Sequence, residues 1–277
     1  TDRFTWGTPM PARTVRLIAT AAAALACSAH AAIVTPADPA GWGNAASGGG
    51  STAITGTLPR SGNGSAEITL PTVAAQAMWW YGLETPVPLS SFASASYEFY
   101  RDGASTNPGI QAPAYALWLD LDCDANTGAD QTYLIYEPGY QTPAPTPVPT
   151  DQWVPQTITP TSIVWQNDIG AVAPFMPLSA YIDGSAGTVS GACIVGVLAF
   201  AGTGWDGSFH GAVDNVMLSA GGQSLAANFE VSAPPPPPPA PAPVPTLGEW
   251  SLLLTGLLLA ALGSRQAAGR RRTRNGG

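Results

Sequence analysis

Apolar residues come in short runs along the chain, many alternating with polar ones, and each run ends at Gly, Pro, Asn, Asp or Ser. Alternation with period two marks strands that bury one face. The pattern predicts strands over Thr52–Leu58, Ser65–Leu70, Met78–Leu83, Ala95–Tyr100, Ala114–Leu121, Gln131–Tyr136, Trp153–Thr159, Ser162–Gln166, Ala192–Ala199, Gly211–Leu218 and Ser224–Glu230. Helical periodicity nowhere lasts beyond two turns, and Leu178–Ile182 is long enough for one short turn. Strands without intervening helices argue against a parallel α/β sheet and for an all-β sandwich in residues 32–232. Pro138 to Thr150 carries five prolines, the composition of an extended surface loop.

Both ends break this pattern. From Met10, the first methionine, Arg13 and Arg16 precede the apolar run Leu17 to Ala26, and Ala29-His30-Ala31 follows as a small-x-small cleavage site. That is the layout of a signal peptide, with Ala32 as the mature N-terminus and residues 1–9 as an upstream extension. A buried Ala-rich helix and lipoprotein processing at Cys27 are the alternatives. At the other end, residues 233–245 form a proline-rich spacer, extended as polyproline II. Residues 246–277 then give a short motif, a leucine-rich run and an arginine cluster. The apolar stretch from Trp250 to Gly263 would reach about 21 Å as a helix, against about 30 Å of hydrocarbon. It is marginal as a permanent transmembrane anchor and better suited to a sorting signal that is held in the membrane and then cut. A plain tail anchor is the alternative.

Charge sharpens the picture. The 277 residues carry a net charge of −8, but between Ala32 and Pro245 there are 16 acids against two bases, Arg60 and Arg101, leaving about −14. So acidic a middle repels phosphate backbones and excludes nucleic-acid binding. The chain has no lysine, which excludes a lysine nucleophile, Schiff-base chemistry and a P-loop NTPase.

Val244-Pro245-Thr246-Leu247-Gly248-Glu249-Trp250, followed by the leucine run and the arginines, resembles the IPTL-CTERM sorting signal, a variant of the PEP-CTERM class of Gram-negative bacteria. Val244 stands where the family usually has Ile, and Ser251 where Gly often follows. The resemblance implies recognition by an exosortase-type membrane transpeptidase, cleavage near the motif, and association with extracellular polysaccharide. The middle resembles, more loosely, jelly-roll domains of secreted PEP-CTERM-type proteins and carbohydrate-binding modules. The residues behind this include Tyr97-Glu98-Phe99-Tyr100-Arg101-Asp102, Leu117-Trp118-Leu119-Asp120, Asp214-Asn215-Val216 and Asn228-Phe229-Glu230. It implies a single jelly-roll-like β-sandwich.

Four constellations could carry chemistry. Asp120, Asp122, Asp124, Asn126 and Asp130 place oxygens at alternate positions around a turn, as a Ca2+ loop requires, although Thr127 and the missing Glu exclude an EF-hand. A solvated Asp-rich turn is the alternative, and Asp214 is a second candidate calcium ligand. Of seven tryptophans between residues 32 and 232, Trp80 and Trp153 and Trp205, with Tyr81, are candidates to stack on sugar rings. Trp118, set between leucines, and Trp165 read as core. Cys123 and Cys193 remain after signal cleavage, an even pair that favours a disulfide in an exported protein. Catalysis has little to build on: His210 has Ser208, Asp206 and Asp214 nearby in sequence but no G-x-S-x-G elbow, and no carboxylate pair stands out. The reading is an exported, surface-sorted, non-catalytic β-sandwich protein, with polysaccharide as the candidate ligand. A secreted polysaccharide hydrolase and a structural or adhesive surface protein are the alternatives.

Overall fold

The computed structural model describes residues 31–124, 130–167, 175–202, 205–233 and 247–272. The chain divides into two compact units, Thr1–Ala233 and Pro234–Gly277. The described part of the first unit is a sandwich of two seven-stranded sheets.

The first sheet is built around β13 (Phe209–Ala220), the second-longest strand. On one side β13 pairs with β6 (Phe92–Arg101), which pairs with β9 (Trp153–Ile158). Its other side is shared. The first half pairs with β4 (Ser65–Leu70), which carries β3 (Ser51–Thr55). The second half pairs with β14 (Gln223–Phe229), which carries β1 (Ala32–Val34) in parallel. Between the halves the ladder with β6 is irregular, and Asn215 adopts a φ of 51°. Asp214, fully buried there, closes the gap. Its Oδ1 accepts the amides of Phe229 and Asn215, and its Oδ2 accepts that of Ser61. Burial pushes its carboxyl up to about 6, against these hydrogen bonds.

The second sheet runs β11 (Met176–Pro177), β10 (Ile163–Asn167), β8 (Gln131–Tyr136), β7 (Ala114–Asp120), β12 (Cys193–Ala201), β5 (Gln76–Pro88), β2 (Gly43–Ser47), antiparallel throughout. Inward residues of both sheets form the core, among them Leu117, Leu119, Val197 and Trp79 against Ile68, Tyr97, Phe99, Val213 and Phe229. Each large apolar side chain buried there is worth about 1.5–3 kcal/mol. Tyr97 is buried whole because its hydroxyl donates to the carbonyl of Pro113 at 2.6 Å. A short helix, α1 (Leu178–Ile182), follows β11.

The sequence pattern anticipates eleven of the fourteen strands among the described residues, two of them, Ser65–Leu70 and Gln131–Tyr136, to the residue. It misses β1, β2 and β11. β1 and β11 have three and two residues, too few to show a period. β2 reads Gly-Asn-Ala-Ala-Ser and is largely exposed, held as an edge strand by backbone pairing with β5.

The second unit contains α2 (Leu247–Arg272), 26 residues. Its leucines from Leu252 to Leu262 are exposed: Leu252 is 74% exposed and Leu257 68%. Among the described residues no helix is long and apolar enough to cross a membrane. The expected transmembrane sorting helix is therefore not borne out as a span. The apolar run stops at Gly263, and the helix continues into Arg265, Arg270, Arg271 and Arg272.

Candidate functional site

The outer face of the second sheet is the chemically distinctive surface of the sandwich. β12 is apolar at all nine positions and buried at all nine. Its inward residues meet the core, and its outward Leu198 and Phe200 form a second apolar cluster with Met78, Ala114, Ala116 and Ile135. Four aromatic side chains, Trp80, Trp118, Tyr133 and Trp165, pack over that cluster and remain partly exposed. They come from β5, β7, β8 and β10, and strand register sets their places. Trp118 and Tyr133 are directly opposite, as are Trp165 and Ile135, and Trp80 and Leu198.

Two glycines make room for the indoles. Gly43 on β2 faces Trp80, and a Cβ there would overlap the Trp80 ring at Cζ2 and Cε2. Gly196 on β12 faces Trp118, and a Cβ there would lie 2.8 Å from Trp118 Cε3. Each ring therefore occupies space that a side chain would otherwise fill. Trp80 and Trp118 meet edge-to-face at 6.4 Å and 89°. Towards β11 the aromatic surface continues through Phe175, which is 41% exposed, 6.2 Å from Trp165 and stacked on Tyr140 at 4.8 Å.

Polar groups border these rings. The indole N–H of Trp118 donates to Gln131 Oε1 at 3.0 Å. The indole N–H of Trp165 donates to Glu137 Oε2 at 2.9 Å. Burial pushes the Glu137 carboxyl up to about 7, with the Trp165 hydrogen bond acting against it. Glu137 and Trp165 line a cleft of about 200 Å³ with Gln111, Ala114, Phe200 and Trp205.

The structure redistributes the aromatic residues singled out by sequence. Trp80 lies on the outer face, as expected of it. Tyr81, its neighbour in β5, turns inward to lie 5.6 Å from Trp42, because successive strand residues face opposite ways. Trp205 is 8% exposed, edge-on to Phe209 at 5.1 Å, and reaches the face only at the cleft. Trp153 lies on the edge strand of the other sheet, 5.9 Å from Tyr100. Trp118 and Trp165, read as core, belong to the outer face. Flanking leucines fix only that Trp118 points away from them, and here the leucines point inward.

Cys123 and Cys193 form a disulfide, with Cα atoms 5.1 Å apart. Asp120, Asp122 and Asp130 come together, whereas Asp124 is exposed with its amide donating to Asp122 Oδ1, and Asn126 lies outside the described residues. Burial first, then the neighbouring carboxyls of Asp122 and Asp130, raises the Asp120 carboxyl above its ordinary range. His210 does not meet Ser208. Its Nδ1 is 2.9 Å from Asp102 and its Nε2 3.3 Å from Glu67, while the Ser208 hydroxyl pairs with Thr106 and Asp214 is held by backbone amides. Of the cleavage-site residues, Ala29 lies outside the described residues, and Ala31 and Ala32 are exposed at the start of the sandwich. Val244, Pro245 and Thr246 lie outside them too. Leu247 opens α2, which also holds Glu249 and Trp250, the last 55% exposed.

No curated protein matches the chain. Similar solved structures include the family 11 carbohydrate-binding module of the cellulosomal cellulase Lic26A-Cel5E of Clostridium thermocellum, at 16% identity and TM-score 0.40 over 65% of this chain and 88% of that one. They also include the CBM22-1 xylan-binding domain of Paenibacillus barcinonensis Xyn10C, at 15% identity and TM-score 0.31 over 65% and 86%. A β-1,2-glucanase from Parabacteroides distasonis is similar at 13% identity and TM-score 0.35 over 65% of this chain and 23% of that one. A family model, the IPTL-CTERM motif, matches residues 242–272. Residues 242–272 are thus an IPTL-CTERM motif, carried by a chain whose described remainder is a β-sandwich.

Proposed function

We propose that this chain is an exported cell-surface or matrix protein whose sandwich binds an extracellular polysaccharide on the outer face of the second sheet, without transforming it. The observation that carries this reading is the set of Trp80, Trp118, Tyr133 and Trp165, partly exposed on one sheet face, with Trp80 and Trp118 set against glycines. Flat aromatic faces stack on the apolar faces of sugar rings, and a row of them suits a linear chain. Gln111, Glu137 and Asn167 border the rings and offer hydrogen-bond partners to sugar hydroxyls.

The IPTL-CTERM motif supports export and sorting, with processing near the motif by an exosortase-type transpeptidase. The exposed leucines of α2 require an apolar partner, which the membrane or the sorting enzyme supplies before cleavage.

The first test is affinity electrophoresis on a panel of β-glucans, xylans and bacterial exopolysaccharides. Trp118→Ala and Trp165→Ala each weaken binding about tenfold, the equivalent of about 1.4 kcal/mol per lost ring. A folded protein that binds no glycan supports instead a structural or adhesive role. Turnover of any glycan supports the hydrolase alternative. That alternative needs two opposed carboxyls, and among the described residues lining the cleft Glu137 is the one acid. For sorting, intact mass is compared between the native protein and a Thr246→Ala, Trp250→Ala double variant. The native chain should end near Pro245 and the variant keep its tail. Retention of Ser251–Arg274 in both removes the processing step.

A further inference from the structure

We propose that Asp120, Asp122 and Asp130 hold a divalent cation, Ca2+, where β7 leaves the second sheet. The three carboxylates each place one oxygen within 4.8 Å of the others. A cluster of acids on a solvated turn would need no ion, but Asp120 is not on a solvated turn. It is fully buried, and among the described residues neither carboxylate oxygen has a hydrogen-bond partner at ordinary geometry, the Asp122 carboxyl and the Asp124 amide being its nearest polar neighbours. A buried ionised carboxylate with no partner is costly enough that proteins pair it or give it a metal.

The sandwich has no side-chain cation to spare for it. Arg60 and Arg101 are the two arginines between Ala32 and Pro245, and His210 is the one histidine there. Arg60 pairs with Glu98, Arg101 donates to Asn107 and to the carbonyl of Gln111, and His210 lies between Asp102 and Glu67. None of these three side chains pairs with Asp120.

The frame around the three acids is rigid. Asp120 lies between Cys193 of β12 and Gln131 of β8. Cys123 is tied to Cys193 by the disulfide and adopts a φ of 64°, which turns the chain back after Asp122. The amide of Asp122 donates to Asp130 Oδ2 at 3.1 Å, and the amide of Asp124 to Asp122 Oδ1 at 2.8 Å, so both exposed-side carboxylates are held in place. All the donors are oxygens, which selects a hard cation. Ca2+, with bonds of about 2.3–2.6 Å and tolerance for irregular shells, fits three carboxylates completed by water better than Mg2+ or Zn2+ does.

The test uses the full, disulfide-intact chain after chelation, titrated with CaCl2 by calorimetry and melted with and without it. The expected result is saturable binding at one site and a melting temperature about 5–10 °C higher at a hundredfold excess over Kd. Asp120→Asn and Asp122→Asn each weaken binding at least tenfold. Asp122 is exposed, so its variant carries the test if Asp120→Asn fails to fold. Equal melting in chelator and in CaCl2 overturns the proposal. So does a calcium response that survives in Asp122→Asn, which would place the ion elsewhere. Glycan binding does not enter either outcome.

Discussion

Gly43→Ala adds one methyl group and tests whether the second sheet presents its tryptophans in the way described. Gly43 does not have a positive φ, so alanine fits its backbone. The cost arises at the facing strand, where the new Cβ overlaps the Trp80 indole. The ring must withdraw by about an ångström to regain ordinary contact. Trp80 is partly exposed and can swing outward, so the stability loss should sit near the lower end of the overpacking range, about 1 kcal/mol. Ligand stacking, which depends on ring position, should suffer more than stability and weaken about tenfold. The assay is a double-mutant cycle with Trp80→Ala, read by urea unfolding and by glycan affinity. In the Trp80→Ala background Gly43→Ala should be neutral to within about 0.5 kcal/mol, because nothing remains for the methyl to displace. Equal losses in both backgrounds, or no loss in either, would refute the platform geometry.

Other outcomes follow from the same structure. Gly196→Ala, which sets a methyl 2.5 Å from the Tyr81 carbonyl oxygen and 2.8 Å from Trp118 Cε3 in the middle of the sheet, should cost about 1–3 kcal/mol in chemical denaturation; a neutral result would mean the strands do not pack this closely there. Replacing Cys123 and Cys193 by alanine releases a 70-residue closure, worth about 4 kcal/mol in the chain-entropy model. Calorimetry should then show a melting temperature lower by roughly 10 °C, and a drop under about 3 °C would contradict this. Burial works to lower the pKa of His210, but hydrogen bonds and charge from Asp102 and Glu67 outweigh it and raise the pKa. The stability this contributes is complete below the ordinary histidine value of about 6.5 and is lost as pH rises through the raised one. The melting difference between the native chain and His210→Gln should therefore shrink from pH 5.5 to 8.5, and a constant difference would falsify the coupling.

Much of this protein is local and readable in one dimension. Strands such as Ser65–Leu70 and Gln131–Tyr136 announce themselves because burial of one face imposes period two. The IPTL-CTERM motif is legible for a related reason: its motif, leucine run and arginines act in sequence order. The acidic spacing from Asp120 to Asp130 and the even pair of cysteines are visible in the same way. Which face of the second sheet is outside was not. Period two shows that Trp80 and Tyr81 oppose each other, and that Trp118 opposes Leu117 and Leu119. It does not show which set meets the core. That was decided by the other sheet, whose Ile68, Tyr97, Phe99 and Phe229 claim the leucines and leave Trp118 and Trp165 with Trp80. The glycines under the rings stand on strands distant in sequence, and only register brings Gly43 to Trp80 and Gly196 to Trp118. Asp120, the last residue of β7, differs from Asp122 and Asp130 for the same reason. Sequence gives all three acids the same charge, and tertiary packing between Cys193 and Gln131 alone takes one of them out of water.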